Sequence, residues 1–460
     1  MIAFLVSAAH KSSGKTTIAT GLAATLTGRD LAVQSFKKGP DYIDPMWLGR
    51  AAGRPCRNLD FWTQGAAEIE AHFQRFAGAA EVAIVEGSKG LYDGIDPAGG
   101  DSTAALARLL GLPVVLVIDC QGITRGVAPL ILGYQAFEPD LAIAGVILNK
   151  VGGERHEGKL HAAVNHYTDL PVLGAVQRNR ELEIVERHIG LVPTNEADGP
   201  DRRIEVIAEH VSEHVDIDLL LRRVGSVEVP ALALAATSRS PDVRLAVARD
   251  AAFGFYYPGD LEALQAAGAE IVAFDTLSDP VLPDCDGLFI SGGFPETQMA
   301  ALEANADLRQ AIRQALAAGL PAYAECGGLM YLARSIAWQG ERRQMVGAVP
   351  ADVVMTPRPV GRGYVRLRET GAGLWPLQGK AGESLPAHEF HYSRLENLDP
   401  EIPFAYQVLR GHGFDGQHDG LVVGNLLAGY VHLRHVGGNP WADRFVDFVR
   451  HCRKKGGGYI

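Results

Sequence analysis

The stretch that most constrains this chain is its beginning. Ile2–Ser7 is a short apolar run that leads through Ala8-Ala9-His10-Lys11-Ser12-Ser13 into Gly14-Lys15-Thr16-Thr17, and Thr16–Thr27 then has helical character. A strand hydrophobic on both faces, a glycine turn and an immediate helix belong to a parallel sheet covered on both sides. The turn is also a phosphate cradle. Successive backbone N–H groups and a helix N-terminus face the anion, a lysine reaches the terminal phosphates, and a hydroxyl can hold Mg²⁺. Gly14, Lys15, Thr16 and Thr17 are therefore expected to bind the phosphates of a nucleotide, although Ala9 stands where the usual pattern begins with glycine.

The alternation continues. Ala32–Phe36, Val82–Glu86, Val114–Asp119 and Ala144–Leu148 read as further buried strands, with helix-length segments such as Ser102–Leu110 between them. Strand–helix–strand order implies right-handed crossovers and a doubly wound sheet. Ile204–Leu221 reads as one closing helix, and Val227–Pro241 as a linker. A second α/β series follows, with strands at Arg244–Arg249, Glu270–Phe274, Gly287–Ser291 and Ala322–Glu325. From Met345 to His435 the short, glycine-rich strands suggest an antiparallel extension. The expected boundaries are a first domain at 1–225, a linker at 226–242, a second domain at 243–452 and a disordered tail at 453–460. Two domains also suit a length of 460 residues.

Composition removes several function classes. Lys and Arg number 43 against 54 Asp and Glu, a net charge of −11, so nothing suggests a nucleic-acid footprint. No apolar run reaches the roughly 18 residues of a membrane span, and the N-terminus has no basic leader, so a cytoplasmic location is expected. The five cysteines lie far apart without a C-x-x-C pair, which argues against zinc and against a disulfide framework.

Residues just past the carboxyl ends of the strands face the ligand crevice of an open α/β sheet. Glu86 at such an end is well placed as a metal or water ligand near the Thr16 hydroxyl, and Asp41, Asp44 and Asp93 add carboxylates that could bind Mg²⁺ or orient an incoming amine. Asp and Glu also cap turns at such positions, so the set carries more weight than any member. Asn149 follows another strand, placed to read the exocyclic amine of adenine.

The second half carries a nucleophile signature. Leu320–Glu325 runs into Cys326-Gly327-Gly328 and a helix, an elbow that exposes a thiol at a helix N-terminus. The N–H of Gly327 and that of Gly293, in the turn Ser291-Gly292-Gly293-Phe294, are candidate oxyanion donors. His432 in Gly429-Tyr430-Val431-His432 is the candidate base.

Together, KKGPDYIDP at Lys37–Pro45, EGSKGLYDG at Glu86–Gly94, SGGFPE, AECGGLMYL, HEFHYS at His388–Ser393 and GYVHLRH resemble the cobyrinic acid a,c-diamide synthases over essentially the whole chain. The resemblance implies a P-loop domain similar to dethiobiotin synthetase joined to a class I glutamine amidotransferase-like α/β domain. It implies glutamine hydrolysis at Cys326 through a thioester and ATP-dependent conversion of tetrapyrrole acetates to acyl phosphates, which ammonia then amidates. Arg434 occupies the place where a His-x-Glu pair would supply the acid that orients His432. Amidation of sirohaem or nickel sirohydrochlorin remains an alternative, a different glutamine-dependent ligase such as a cobyric acid synthase a further one, and a ParA-like switch ATPase the reading from another class. The oligomeric state is left open, a homodimer included.

Overall fold

The computed structural model describes residues 1–182, 186–187, 190–197, 199–229, 239–375 and 384–456. The chain divides into two compact units, Met1–Ala235 and Ala236–Ile460. The expected linker lies partly outside the described residues. Its first part is fastened to the N-terminal unit, where Val227 N donates to Met1 O at 2.8 Å.

The N-terminal unit is built on a seven-stranded sheet in the order Arg57–Leu59, Val33–Lys38, Val82–Glu86, Ile2–Ala8, Val114–Asp119, Ile143–Val151, Val172–Gln177. Every neighbouring pair is parallel. The central strands are buried almost throughout, as their unbroken apolar runs require. Ile2–Ala8 has Val82–Glu86 on one side and Val114–Asp119 on the other. Its following loop thus opens where strand order reverses, the usual ligand crevice of such sheets.

One expectation is corrected by packing. Ile204–Leu221 is not one helix but two, Pro200–His214 and Ile217–Val224. Val215 leaves the helix to bridge Gly174, and the Asp216 carboxylate accepts from Leu219 N at 2.8 Å, starting the second helix. The helix Pro200–His214 lies against Lys15–Thr27, and a Cβ added at Gly21 would come within 2.4 Å of Val211. This close approach accounts for a mid-helix glycine that costs about 1 kcal/mol in propensity.

The C-terminal unit holds a nine-stranded sheet. Ala269–Phe274, Val243–Ala248, Gly287–Ile290, Ala322–Glu325 and Leu426–Gly429 run parallel. His418–Val423, Phe404–Arg410, Gly361–Glu369 and Ser384–His391 continue it in antiparallel pairs. In Gly361–Glu369, Val365 and Leu367 point to the core while Arg362, Arg366 and Arg368 are exposed, the alternation of a sheet wet on one face. The expected tail at 453–460 is corrected as well. The helix Trp441–Gly456 continues through its first residues, Arg453 donates to the Asp242 carbonyl, and 457–460 lie outside the described residues.

Candidate active sites in the two units

Cys326 stands where the buried strand Ala322–Glu325 stops and the helix Gly327–Leu332 starts. Its backbone has φ 46°, a left-handed conformation that costs a non-glycine residue about 1–3 kcal/mol and is held by its surroundings. Part of that hold is the bond from Cys326 N to Gly429 O at 2.7 Å. The glycines around it are forced by close backbone approach. A Cβ at Gly328 would meet Ile290 O at 2.0 Å, and one at Gly293 would meet Ala252 O at 1.9 Å. Gly293 and Gly327 are brought together, since a Cβ on Gly327 would lie 2.9 Å from Gly293 N.

This packing gives a direct prediction. Gly293→Ala has only backbone to displace, so it should cost about 3 kcal/mol, the upper part of the usual overpacking range, or distort the turn enough to abolish glutamine hydrolysis. Gly259→Ala, where nothing lies within 4 Å, serves as the control. Thermal unfolding and glutamate release check both, and a Gly293→Ala protein with unchanged stability and activity would contradict the packing argument.

His432 arrives from the neighbouring chain segment, its N–H donating to His388 O at 2.8 Å. Its Nδ1 lies 3.2 Å from Glu325 Oε2, and its ring is hydrogen-bonded to Cys326 as well. Burial pulls the imidazole's pKa down, but the bonds to Cys326 and Glu325 outweigh it and push it up to about 10. A carboxylate placed to orient His432, which the Arg434 position does not supply, is therefore Glu325, the residue immediately before Cys326.

Glu325 is itself held on several sides. Oε1 accepts from Leu433 N at 2.9 Å and Tyr323 OH at 2.5 Å, and Oε2 accepts from Ser291 Oγ at 3.0 Å. A carboxylate so fixed keeps Nδ1 protonated and leaves Nε2 for the thiol. His388 stacks on His432 with centroids 5.0 Å apart and 16° between planes. Burial, with help from His432 and Arg434, holds His388 well below the ordinary histidine range. Among the other cysteines, burial pushes the Cys56 and Cys120 thiols up to about 12, which keeps them protonated.

In the N-terminal unit the loop before Lys15–Thr27 is tied to two strand ends. Asn149 Nδ2 donates to Ser13 O at 2.8 Å, and Lys150 Nζ contacts Ser12 O at 2.8 Å and Asp119 Oδ2 at 2.6 Å. The Asn149 amide nitrogen is thus committed to shaping the loop, with Gly14 packed so closely that a Cβ there would lie 2.2 Å from it. Thr16 Oγ1 donates to Glu86 Oε1 at 2.7 Å and lies 3.3 Å from Asp44 Oδ2. Thr17 sits half-buried in the first helical turn.

Between the same carboxylates lies a residue whose role the sequence did not reveal. Lys37 Nζ is 2.5 Å from Asp44 Oδ2 and 3.0 Å from Glu86 Oε1, and the side chain is almost wholly buried. Burial alone would lower its pKa, but Asp44 and Glu86 hold it well above the usual lysine range. Asp44, though buried, is held low by Lys37, whereas burial raises Glu86. Asp41 accepts from the N–H groups of Ile43 and Asp44, and burial and the Asp44 charge raise it. Burial and Lys37 lower Lys15. Asp93 lies on an exposed loop, accepting from Gly90 N at 2.9 Å, with its charge acting on Lys15.

Glu86 Oε2 is buried without a hydrogen-bond partner. A buried carboxylate oxygen left unpaired is costly, and with the Thr16 hydroxyl and Asp44 beside it the oxygen donors suit a hard divalent cation.

Comparison with known proteins places both units. Residues 244–440 match the model of the CobB/CobQ-like glutamine amidotransferase domain, and residues 5–192 that of the CobQ/CobB/MinD/ParA nucleotide binding domain. A cobyrinate a,c-diamide synthase from Magnetococcus marinus is 45% identical over 97% of this chain and 96% of its own length. Its namesake from Methanosarcina acetivorans is 41% identical over 96% and 94%, and that from Syntrophotalea carbinolica 40% over 97% and 98%. The chain belongs to the cobyrinate a,c-diamide synthase family. Cys326 and His432 lie within the matched amidotransferase domain, and Gly14 to Thr17, Lys37, Asp44 and Glu86 within the nucleotide-binding one. Among the described residues no helix is long and apolar enough to cross a membrane.

Proposed function

We propose that this chain is an ATP- and glutamine-dependent ligase that amidates the a and c acetate side chains of cobyrinate, as the names of its relatives indicate. The observation that carries the reading is the buried set Cys326, His432 and Glu325 in a chain whose other unit holds a phosphate loop. His432 takes the thiol proton, and the thiolate attacks the glutamine carboxamide. Ammonia leaves with that proton, and water hydrolyses the thioester to glutamate. The N–H groups of Gly293 and Gly327 would receive the oxyanion of each tetrahedral step.

At the other site the backbone around Gly14, with Lys15, Thr16 and Thr17, would bind ATP. Lys15 would neutralise charge on the transferring phosphoryl group. A substrate carboxylate oxygen takes the γ-phosphoryl group and ADP departs; ammonia then attacks the acyl carbon and expels phosphate. Activation is needed because a carboxylate has no adequate leaving group of its own. Thr16, Glu86 and Asp44 would hold Mg²⁺, which supplies charge neutralisation between phosphates. Asp41 and Asp93 would face the acyl phosphate, and Asn149 would act through the shape of the loop. A cytoplasmic location accords with this chemistry.

The test offers cobyrinate, sirohaem and nickel sirohydrochlorin separately, with MgATP and glutamine, and follows products by mass. Two successive amidations of cobyrinate are expected. Amidation confined to a sirohaem-type ring would overturn the corrin assignment and leave the ligase chemistry standing. In Cys326→Ala, glutamate release should vanish while amidation driven by ammonium salts continues. Glutamate release persisting in that variant would remove Cys326 from its role.

A further inference from the structure

We propose that His210, Glu213 and His214 form a binding site for zinc, a borderline divalent transition-metal ion. The three residues occupy the last turn of the helix Pro200–His214 at spacings of three and four, which puts them on one face. Each offers a ligand atom, and these atoms lie within 4.8 Å of one another. Zinc binds imidazole nitrogen and carboxylate oxygen at about 2.0–2.2 Å, so a small rotamer adjustment closes three ligands on one ion and leaves a fourth position for water.

The second observation concerns the imidazoles. His214 Nδ1 lies 2.9 Å from the His210 carbonyl, and His210 Nε2 lies 3.4 Å from the Gln177 carbonyl. Metal-bound histidines hold one ring nitrogen against a carbonyl in this way, which fixes the tautomer and presents the lone pair of the other nitrogen. The rings already lie side by side, centroids 4.1 Å apart and planes 34° apart. The position at a helix C-terminus also favours a bound cation, because unpaired carbonyls leave partial negative charge there.

The site has a structural consequence. Ile207 and Val211 of this helix pack on Gly21, and Thr25 Oγ1 donates to Ala208 O at 3.2 Å. An ion bridging residues four apart would fasten the last turn of the helix that buttresses Lys15–Thr27, which begins at the phosphate loop. The site is separate from the Thr16, Asp44 and Glu86 donors and does not depend on the substrate assignment.

Calorimetric titration of the full untagged chain with Zn²⁺, in millimolar Mg²⁺ to occupy the nucleotide site, tests this. One equivalent should bind to the parent chain and be lost, or weakened at least tenfold, in His210→Ala/His214→Ala. The thermal stabilisation by Zn²⁺ should disappear with it. Co²⁺ should give visible bands without thiolate charge-transfer absorption, which separates this site from the cysteines. His214→Gln provides a milder second variant. Absence of stoichiometric binding to the parent chain, or equal binding by the double variant, would overturn the proposal.

Discussion

Glu325→Gln should lower glutamine hydrolysis by roughly 10⁴-fold, the effect seen when a histidine base loses its orienting carboxylate. The amide is nearly isosteric, so the loss would come from charge and tautomer and not from packing. An uncharged partner no longer stabilises the imidazolium, and its NH₂ group would confront Tyr323 OH, Leu433 N–H or Ser291 Oγ, which already donate to Glu325. The pH profile supplies the second readout. With Glu325 removed, one of the groups that hold His432 up near 10 is gone, so the upper ionisation of the profile should move to lower pH. Ammonia-driven amidation should be untouched. A variant with near-normal glutaminase turnover would show that His432 is oriented by something else.

Lys37→Met should have the largest effect on stability and on the synthetase reaction. The methylenes keep their packing, but Asp44 and Glu86 are left facing each other without the ammonium between them. Removing one partner from a buried ionic cluster typically costs about 3–5 kcal/mol, because the remaining charge stays buried. Denaturant unfolding should show this loss in the N-terminal unit. ATP-dependent amidation should fail whether glutamine or ammonium supplies nitrogen, since Thr16, Asp44 and Glu86 lose their arrangement. Glutamine hydrolysis should survive, as its residues all belong to the C-terminal unit. Unchanged stability would mean that the carboxylates find another partner.

These two residues also mark how far the sequence could be read. Gly14-Lys15-Thr16 and Cys326-Gly327-Gly328 were legible because their chemistry is local: the glycines, the nucleophile or lysine, and the flanking strand and helix all fall within a dozen positions. Glu325 sits beside Cys326, yet its partner Leu433 is 108 positions away and His432 is 107. Its signal was a carboxylate ending a fully buried strand, which needs a partner. Lys37 carried the same signal in Val33–Lys38, whose six residues are all buried. Asn149 was expected just past a strand ending at Leu148, but the strand runs on to Val151 and the Asn149 amide nitrogen donates to Ser13 O. The helix break at Val215 and Asp216 was hidden because apolar periodicity continues across it, while the capping bond to Leu219 depends on backbone geometry.

The adjacency of Glu325 and Cys326 has a further meaning. A three-membered relay usually requires three separate placements by the fold, each with its own positional error. Here two members share one peptide unit, joined across the end of a strand whose neighbours on both sides are parallel. Any drift of that strand carries both groups together, so the fold has a single long-range coordinate to keep in tolerance: the seat of His432. Substitutions that damage the relay without touching it should therefore concentrate along Leu426–Gly429 and the His388 bridge, which set that coordinate.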